Sequence, residues 1–289
     1  MEFRNLGNGE ALLSTIGFGT WRYTGGIEPI QAAIDHGATL IDTAESYGTE
    51  EAVGIAVRGR RKDVILATKV LPRNFRKAEL TAAVERSLRR LRTDYIDLYQ
   101  LHWPNYTVPI AETMSAMEAL VAAGKIRFIG LSNFSVRQTQ EAQACLARVK
   151  IVSNQLRYSL IERTVEDGML QYCRTNHITL IAFSPLGEDF SRMQSFDPKD
   201  ALRTVADRLG KTRAQVALNW LISKEGVVAI PKCSSVPRAI ENCEASGWKI
   251  PKDACALLSE NITYKRRTPM ERVLRRLAKH ANQIFGREL

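Results

Sequence analysis

The 289-residue chain has little of what marks a disulfide-stapled, metal-bound or membrane-embedded protein. Its five cysteines, Cys145, Cys173, Cys233, Cys243 and Cys255, are odd in number, widely spaced and free of any C-x-x-C pair. Neither a disulfide framework nor a zinc site is indicated, and free, mostly buried thiols are expected. Histidine is scarce: His36, His102, His177 and His280 lie far apart with no carboxylates at ligand spacing, so no metal centre is expected. No stretch approaches the roughly 18 uninterrupted apolar residues of a transmembrane helix, and no membrane partner is expected. Residues 1–5 lack the basic-then-apolar layout of a secretory signal, which makes the cytoplasm the expected location. No internal repeat or low-complexity segment stands out.

Acidic residues number 31 against 41 basic ones, a formal net charge of +10 that could suit nucleic acid. The basic residues gather in two helical regions, 58–92 and 265–287, where Glu79, Glu85, Glu271 and Glu288 interrupt them. That interruption favours solvated helix faces, and no nucleic-acid partner is expected. A chain 45% hydrophobic and 25% charged has the composition of a globular protein with a sizeable core.

Along the chain, β-like runs alternate with amphipathic stretches, the pattern of stacked βαβ units. The runs are 13–19, 39–43, 64–69, 95–102, 128–132, 151–155, 179–183 and 227–231. Eight such runs, each followed by a helix-like stretch, select a closed (β/α)8 TIM barrel over an open doubly wound sheet, as one domain spanning 1–289. Leu80, Val84, Leu88 and Leu91 recur at spacings of three and four, and so, with some crowding, do Val216, Leu218, Leu221 and Ile222. Residues 3–6 and 11–13 flank Gly7-Asn8-Gly9-Glu10, so residues 1–13 are expected to form a hairpin closing the barrel floor. Gly210 divides 198–209 from 212–223, giving the seventh unit an extra helix. Beyond the last unit, 247–289 form a C-terminal helical segment. Within it, Met270, Val273, Leu274, Leu277, Ala278, Ala281, Ile284 and Phe285 share one helical side, with Arg272, Arg275, Arg276 and Lys279 mostly on the other. A helix docked on the outer ring is the plainer reading; a membrane surface or a partner is the alternative.

Four polar residues fall at, or just past, the ends of these runs: Asp42 and Tyr47 after the second, Lys69 at the third and His102 at the fourth. In a barrel of parallel strands those ends share one mouth. Tyr47 is a phenol with an ordinary pKa of about 10, a reluctant proton donor at neutral pH. An ammonium beside it, Lys69, would stabilise the phenolate and bring that pKa toward the working pH, while Asp42 would hold Lys69 charged and aimed. His102 could donate a hydrogen bond to a carbonyl oxygen and support negative charge developing there. The set describes an acid poised over a carbonyl. With neither an activated nucleophile nor a metal, the reductant must be a cofactor.

From about residue 13 to residue 242 these segments resemble the aldo-keto reductase superfamily. Its pattern of Asp-x4-Tyr after the second strand, Lys ending the third and His ending the fourth is matched by Asp42, Tyr47, Lys69 and His102. The resemblance implies NADP(H) bound in extended form, in keeping with the absence of any G-x-G-x-x-G between a strand and a helix. It places Ser132, Asn133 and Gln155 at the nicotinamide carboxamide, Phe183 stacked on the nicotinamide ring, and Gly19, Thr20 and Trp21 beside the cofactor. It also assigns Ser184, Pro185, Leu186 and Gly187 to the cofactor's path. Ile230, Pro231, Lys232, Cys233, Arg238, Glu241 and Asn242 would grip the adenosine end, Lys232 and Arg238 meeting the 2′-phosphate. Cys233 replaces the commoner Ser, which removes one phosphate hydrogen bond and, were the thiol exposed, would make binding oxidation-sensitive. Phe183 lacks the hydroxyl of the commoner Tyr, and the polar stretch 188–199 gives no pattern for cover over the pyrophosphate. Trp21 and Trp103 are expected to line the substrate pocket, a core or rim position being the alternative for each; their bulk favours planar or apolar carbonyl compounds.

The expected activity is NADP(H)-dependent reduction of aldehydes or ketones to alcohols with Tyr47 as general acid, in a monomer or small homo-oligomer. The alternative is a regulatory subunit that binds NADP(H) and senses redox state with little turnover, against which the intact four-residue set argues.

Overall fold

A computed structural model describes residues 1–9, 11–187 and 190–264. A hairpin comes first, β1 (Phe3–Asn5) pairing antiparallel with β2 (Leu12–Ser14). Eight parallel strands follow: β3 (Phe18–Gly19), β4 (Leu40–Asp42), β5 (Ile65–Val70), β6 (Ile96–Leu101), β7 (Ile126–Ser132), β8 (Ile151–Arg157), β9 (Thr179–Phe183) and β10 (Val227–Ile230). They are hydrogen-bonded in chain order. The first and last meet where Gly17 N donates to Ala229 O (2.8 Å) and Gly19 N to Pro231 O (3.1 Å), which closes the barrel.

Helices alternate with the strands: α1 (Glu28–Asp35), α2 (Glu50–Ala56), α3 (Lys77–Leu91), α4 (Ile110–Ala122), α5 (Val136–Ala144) and α6 (Met169–Thr175). After β9 come a short α7 (Met193–Phe196), α8 (Ala201–Leu209) and α9 (Arg213–Ile222); α10 (Val236–Cys243) follows β10, and α11 (Lys252–Asn261) is an added C-terminal helix. The apolar stripes face inward, with Leu80, Val84, Leu88 and Leu91 of α3 all buried against the sheet. Gly210 ends α8 in left-handed backbone (φ +59°), and Thr212 then caps α9 through Gln215 N. No described helix is long and apolar enough to cross a membrane.

Inside the barrel, Leu40, Ala67, Leu98, Phe128, Ile181, Val228 and Ile230 pack with Leu6 and Leu13 of the hairpin. Gly7 N donates to Thr179 Oγ1 (3.0 Å), and the Arg4 guanidinium is held by the carbonyls of Ile222, Lys224 and Val227. The hairpin therefore sits against the amino-terminal ends of late strands, opposite the mouth. Outside the barrel, fully buried Asp97 on β6 pairs with Arg61 and Arg127, each at 2.6 Å.

One expected strand is split. The run over 13–19 divides into β2, which ends at Ser14 still paired with Phe3, and the two-residue β3; at the break Ser14 N donates to Thr39 Oγ1 (2.8 Å) and its hydroxyl to Ile16 O (2.7 Å). The amphipathic helix expected at 268–285 lies outside the described residues, as do Glu188 and Asp189 of the polar stretch 188–199.

Leu13→Ala should destabilise the protein by about 2–5 kcal/mol, the usual loss for deleting a fully buried leucine side chain. Urea denaturation measures it, and a loss under about 1 kcal/mol would mean that the hairpin is no part of the core.

Candidate active site

Asp42 is the last residue of β4, and Lys69 lies next to last in β5, so both reach the carboxyl-terminal mouth. Neither is exposed: Lys69 is 0% and Asp42 2% accessible. Lys69 Nζ donates to Asp42 Oδ2 (2.6 Å) and to Thr43 O (2.9 Å) and stands 3.4 Å from Tyr47 Oη. His102, one residue past β6, brings Nε2 to 3.3 Å from the same phenol oxygen. The structure thus brings all four expected residues together, the phenol meeting an ammonium and an imidazole at once.

Burial alone would drive Lys69 toward its neutral form, but the Asp42 carboxylate and the Tyr47 oxygen outweigh it and raise the pKa, so the lysine stays charged. Burial also raises the Tyr47 phenol; the Lys69 ammonium opposes the rise and Asp42 adds to it. The net direction is therefore upward, which corrects the expectation that Lys69 brings the phenol toward neutral pH. His102 is pushed down to about 3, mainly by burial and secondarily by Lys69, and is a neutral imidazole at physiological pH. Its Nδ1 is buried with no hydrogen-bond partner among the described residues. An orphaned lone pair costs less than an orphaned N–H, which favours the tautomer with the proton on Nε2.

Around these four the mouth carries several residues expected at the cofactor. Gln155 is buried in β8, with Nε2 donating to Asp42 Oδ1 (2.7 Å), and its Oε1 accepts no hydrogen bond among the described residues. Ser132 Oγ donates to Gln155 O (3.1 Å), and Asn133 Nδ2 to His102 O (3.1 Å) and Ser132 Oγ (3.0 Å). Phe183, half-buried, ends β9 in register with Arg157 and Ile230, and the Arg157 guanidinium carbon lies 5.3 Å from its ring centre. Asn133 and Ser184 hold positive φ (+65° and +48°), strained backbone of the kind that concentrates at functional sites. Pro185 is buried and Leu186 and Gly187 half-buried just beyond.

Gly19 and Thr20 are buried at the end of β3, with Thr20 Oγ1 donating to Asp42 O (3.0 Å). Trp21 is 38% exposed under the Arg22 guanidinium, and Trp103 is half-buried, stacked 6.3 Å from His102. Farther out, Ile230 and Pro231 are buried, Lys232 and Arg238 exposed, Glu241 half-buried and Asn242 buried around the start and body of α10. Cys233 is buried, and that burial pushes its thiol up to about 11, Asn242 opposing through a hydrogen bond. It is accordingly no oxidation-sensitive surface group.

Residues 15–262 match the profile of the Aldo/keto reductase family. The chain belongs to that family. Among its relatives, Aldo-keto reductase YhdN of Bacillus subtilis (strain 168) is 36% identical over 91% of this chain and 95% of its own length. Methylglyoxal reductase YeaE of Escherichia coli (strain K12) is 35% identical over 88% of this chain and 92% of its own. A Klebsiella pneumoniae aldo/keto reductase, solved in complex with NADP and acetate, aligns with a TM-score of 0.84 at 36% identity, covering 93% of this chain and 98% of that one.

Two residues of this aldo/keto reductase barrel escaped the sequence reading. Gln100 is fully buried in β6, and its Nε2 donates to Asp42 Oδ1 (3.2 Å). It stands two residues before His102, so period-two alternation would have put both on the inner face. Glu45 accepts from Leu71 N (2.6 Å) and Asn74 Nδ2 (2.9 Å), tying the turn that carries Tyr47 to the segment leaving β5. No pattern in the sequence marks it.

The His102 imidazole should show no protonation across the neutral range, read from its ring nitrogen and carbon NMR shifts; a midpoint near the ordinary value of about 6.5 would contradict the burial argument. The unfolded chain takes up this proton near pH 6.5 and the folded protein near about 3. The stability this group contributes is therefore complete above about pH 6.5 and lost as pH falls through that window.

Proposed function

We propose that this protein reduces aldehydes or ketones to alcohols with NADPH, reversibly in principle. The observation that carries the reading is the approach of Lys69 Nζ (3.4 Å) and His102 Nε2 (3.3 Å) to Tyr47 Oη, because this makes the phenol hydroxyl a proton donor flanked by a fixed cation and a neutral imidazole. The relative named a methylglyoxal reductase and the neighbour solved with NADP support the same class of reaction and cofactor.

In this reading Tyr47 donates its proton to the substrate oxygen, and the adjacent Lys69 ammonium stabilises the phenolate left behind. The Nε2–H of His102 donates a hydrogen bond to that oxygen as negative charge builds on it, a preorganised contact from a buried imidazole. Asp42 keeps Lys69 charged and in place. When bound, NADPH supplies the hydride. Phe183 offers its ring as a flat surface for the nicotinamide, and Gln155 Oε1 an acceptor for the carboxamide amine, with Ser132 and Asn133 beside it. Lys232 and Arg238 present two cations at the start of α10, suited to a 2′-phosphate and hence to NADP(H) over NAD(H). Trp21 and Trp103 flank the mouth and favour planar or apolar carbonyl groups.

The test is a panel of aldehydes, 2-oxoaldehydes, ketones and quinones assayed with NADPH and NADH in parallel. Tyr47→Phe should lower kcat by about 10²–10⁴-fold with NADPH binding kept, the range usual for losing a general acid. A rate unaffected by that change would remove the proposed acid. Because burial holds the phenol above its ordinary value, reduction should decline only as pH rises past about 10. Arg238→Ala should raise KM for NADPH several-fold while leaving KM for NADH nearly unchanged, and an equal effect on both cofactors would count against a 2′-phosphate contact.

A further inference from the structure

Asp42 divides its two carboxylate oxygens. Oδ2 belongs to Lys69, while Oδ1 receives two side-chain amides, from Gln155 Nε2 at 2.7 Å and Gln100 Nε2 at 3.2 Å. The amides also face each other, Gln155 Nε2 standing 3.4 Å from Gln100 Oε1. Gln100 comes from β6 and Gln155 from β8, with Gly130 of β7 between them. A Cβ at Gly130 would fall 2.8 Å from Gln100 Cγ and 2.5 Å from Ser153 Oγ. The intervening strand thus carries no side chain where the neighbouring strands place amide and hydroxyl, and that absence lets Gln100 lie across the lumen.

We propose that Gln100 is a positioning residue that joins the proton-donating set to the amide facing the cofactor. Its N–H fixes the Asp42 carboxylate, so that Oδ2 stays on Lys69 and the ammonium stays beside Tyr47. Its Oε1 takes the second Gln155 hydrogen, which commits the Gln155 NH2 inward and leaves Gln155 Oε1 as the acceptor for a carboxamide amine. One residue then determines both the aim of the acid and the hydrogen-bonding sense of nicotinamide recognition. The inference rests on the reading given under Proposed function.

Gln100→Met keeps the length of the side chain and removes both hydrogen bonds. It should lower kcat roughly ten-fold and weaken NADPH binding several-fold, the scale of losing a hydrogen bond to a charged group. Affinity for adenosine 2′,5′-bisphosphate, which lacks the nicotinamide, should not change. Gln100→Glu supplies a second test should Gln100→Met not fold. Its carboxyl, raised by the nearby Asp42 charge, donates to Oδ1 while protonated and repels it once ionised. Activity of that variant should be highest at acid pH and disappear as pH rises, well before the basic limb of the unaltered protein. Unchanged kcat and NADPH affinity in Gln100→Met would overturn the proposal, as would equal weakening of NADPH and the bisphosphate, or a Gln100→Glu profile that superimposes on the native one. Failure of the unaltered protein to bind NADPH would instead remove the reading beneath it, and the proposal with it.

Discussion

A fully buried lysine ammonium, 2.6 Å from a carboxylate almost as deeply withdrawn, is the constraint around which the mouth of this barrel is arranged. Two charges taken out of water are costly unless every remaining donor and acceptor is met. Here Thr43 O takes a second lysine hydrogen, and the carboxylate oxygen that Lys69 does not use receives two amides. What is left over points at Tyr47. The phenol has no better neighbour than this cation and a neutral imidazole, so the same pair that satisfies the lysine also orients the proton donor.

The arrangement needs the barrel. Asp42, Lys69, Gln100 and Gln155 come from four different strands, and none could find the others in a hairpin or a helix pair. Their inward direction follows from the two-residue alternation of each strand, and the parallel sense of the sheet puts the strand ends at one rim. The helices contribute chiefly by covering the outer face, where the buried Asp97 carboxylate pairs with half-buried Arg61 and exposed Arg127.

Much of this was legible in the residues. Strand ends marked by Asp42, Lys69 and His102 stand out because a charge or imidazole after an apolar run has no place in the core of a sheet. The eight-fold alternation, the glycine-rich hairpin loop after Leu6 and the break at Gly210 are local signals that the tertiary structure does not override. Gln100 was hidden because an uncharged amide inside an apolar run looks like noise until the neighbouring strands are in place. The direction of the Tyr47 shift could not be read either: a cation nearby lowers a phenol and burial raises it, and only the extent of enclosure decides between them. The same enclosure, invisible in sequence, makes Cys233 inert where a surface thiol would be reactive. Ser14 shows the opposite case, the last paired residue of a good β pattern, whose hydroxyl bonds Ile16 O where the run bends.

The hairpin beneath the barrel carries a kinetic consequence. Arg4 is anchored by carbonyls at Ile222, Lys224 and Val227, and Gly17 and Gly19 bond to Ala229 in the last strand and to Pro231 just past it. Contacts spanning more than two hundred residues are the slowest to form, because the intervening loop must be closed before they return any free energy. A nascent chain can therefore assemble successive βα units early yet cannot latch the ring until its final strand has left the ribosome. Until then β3 and the hairpin present open edges, the state in which this fold is most exposed to aggregation and to proteolysis.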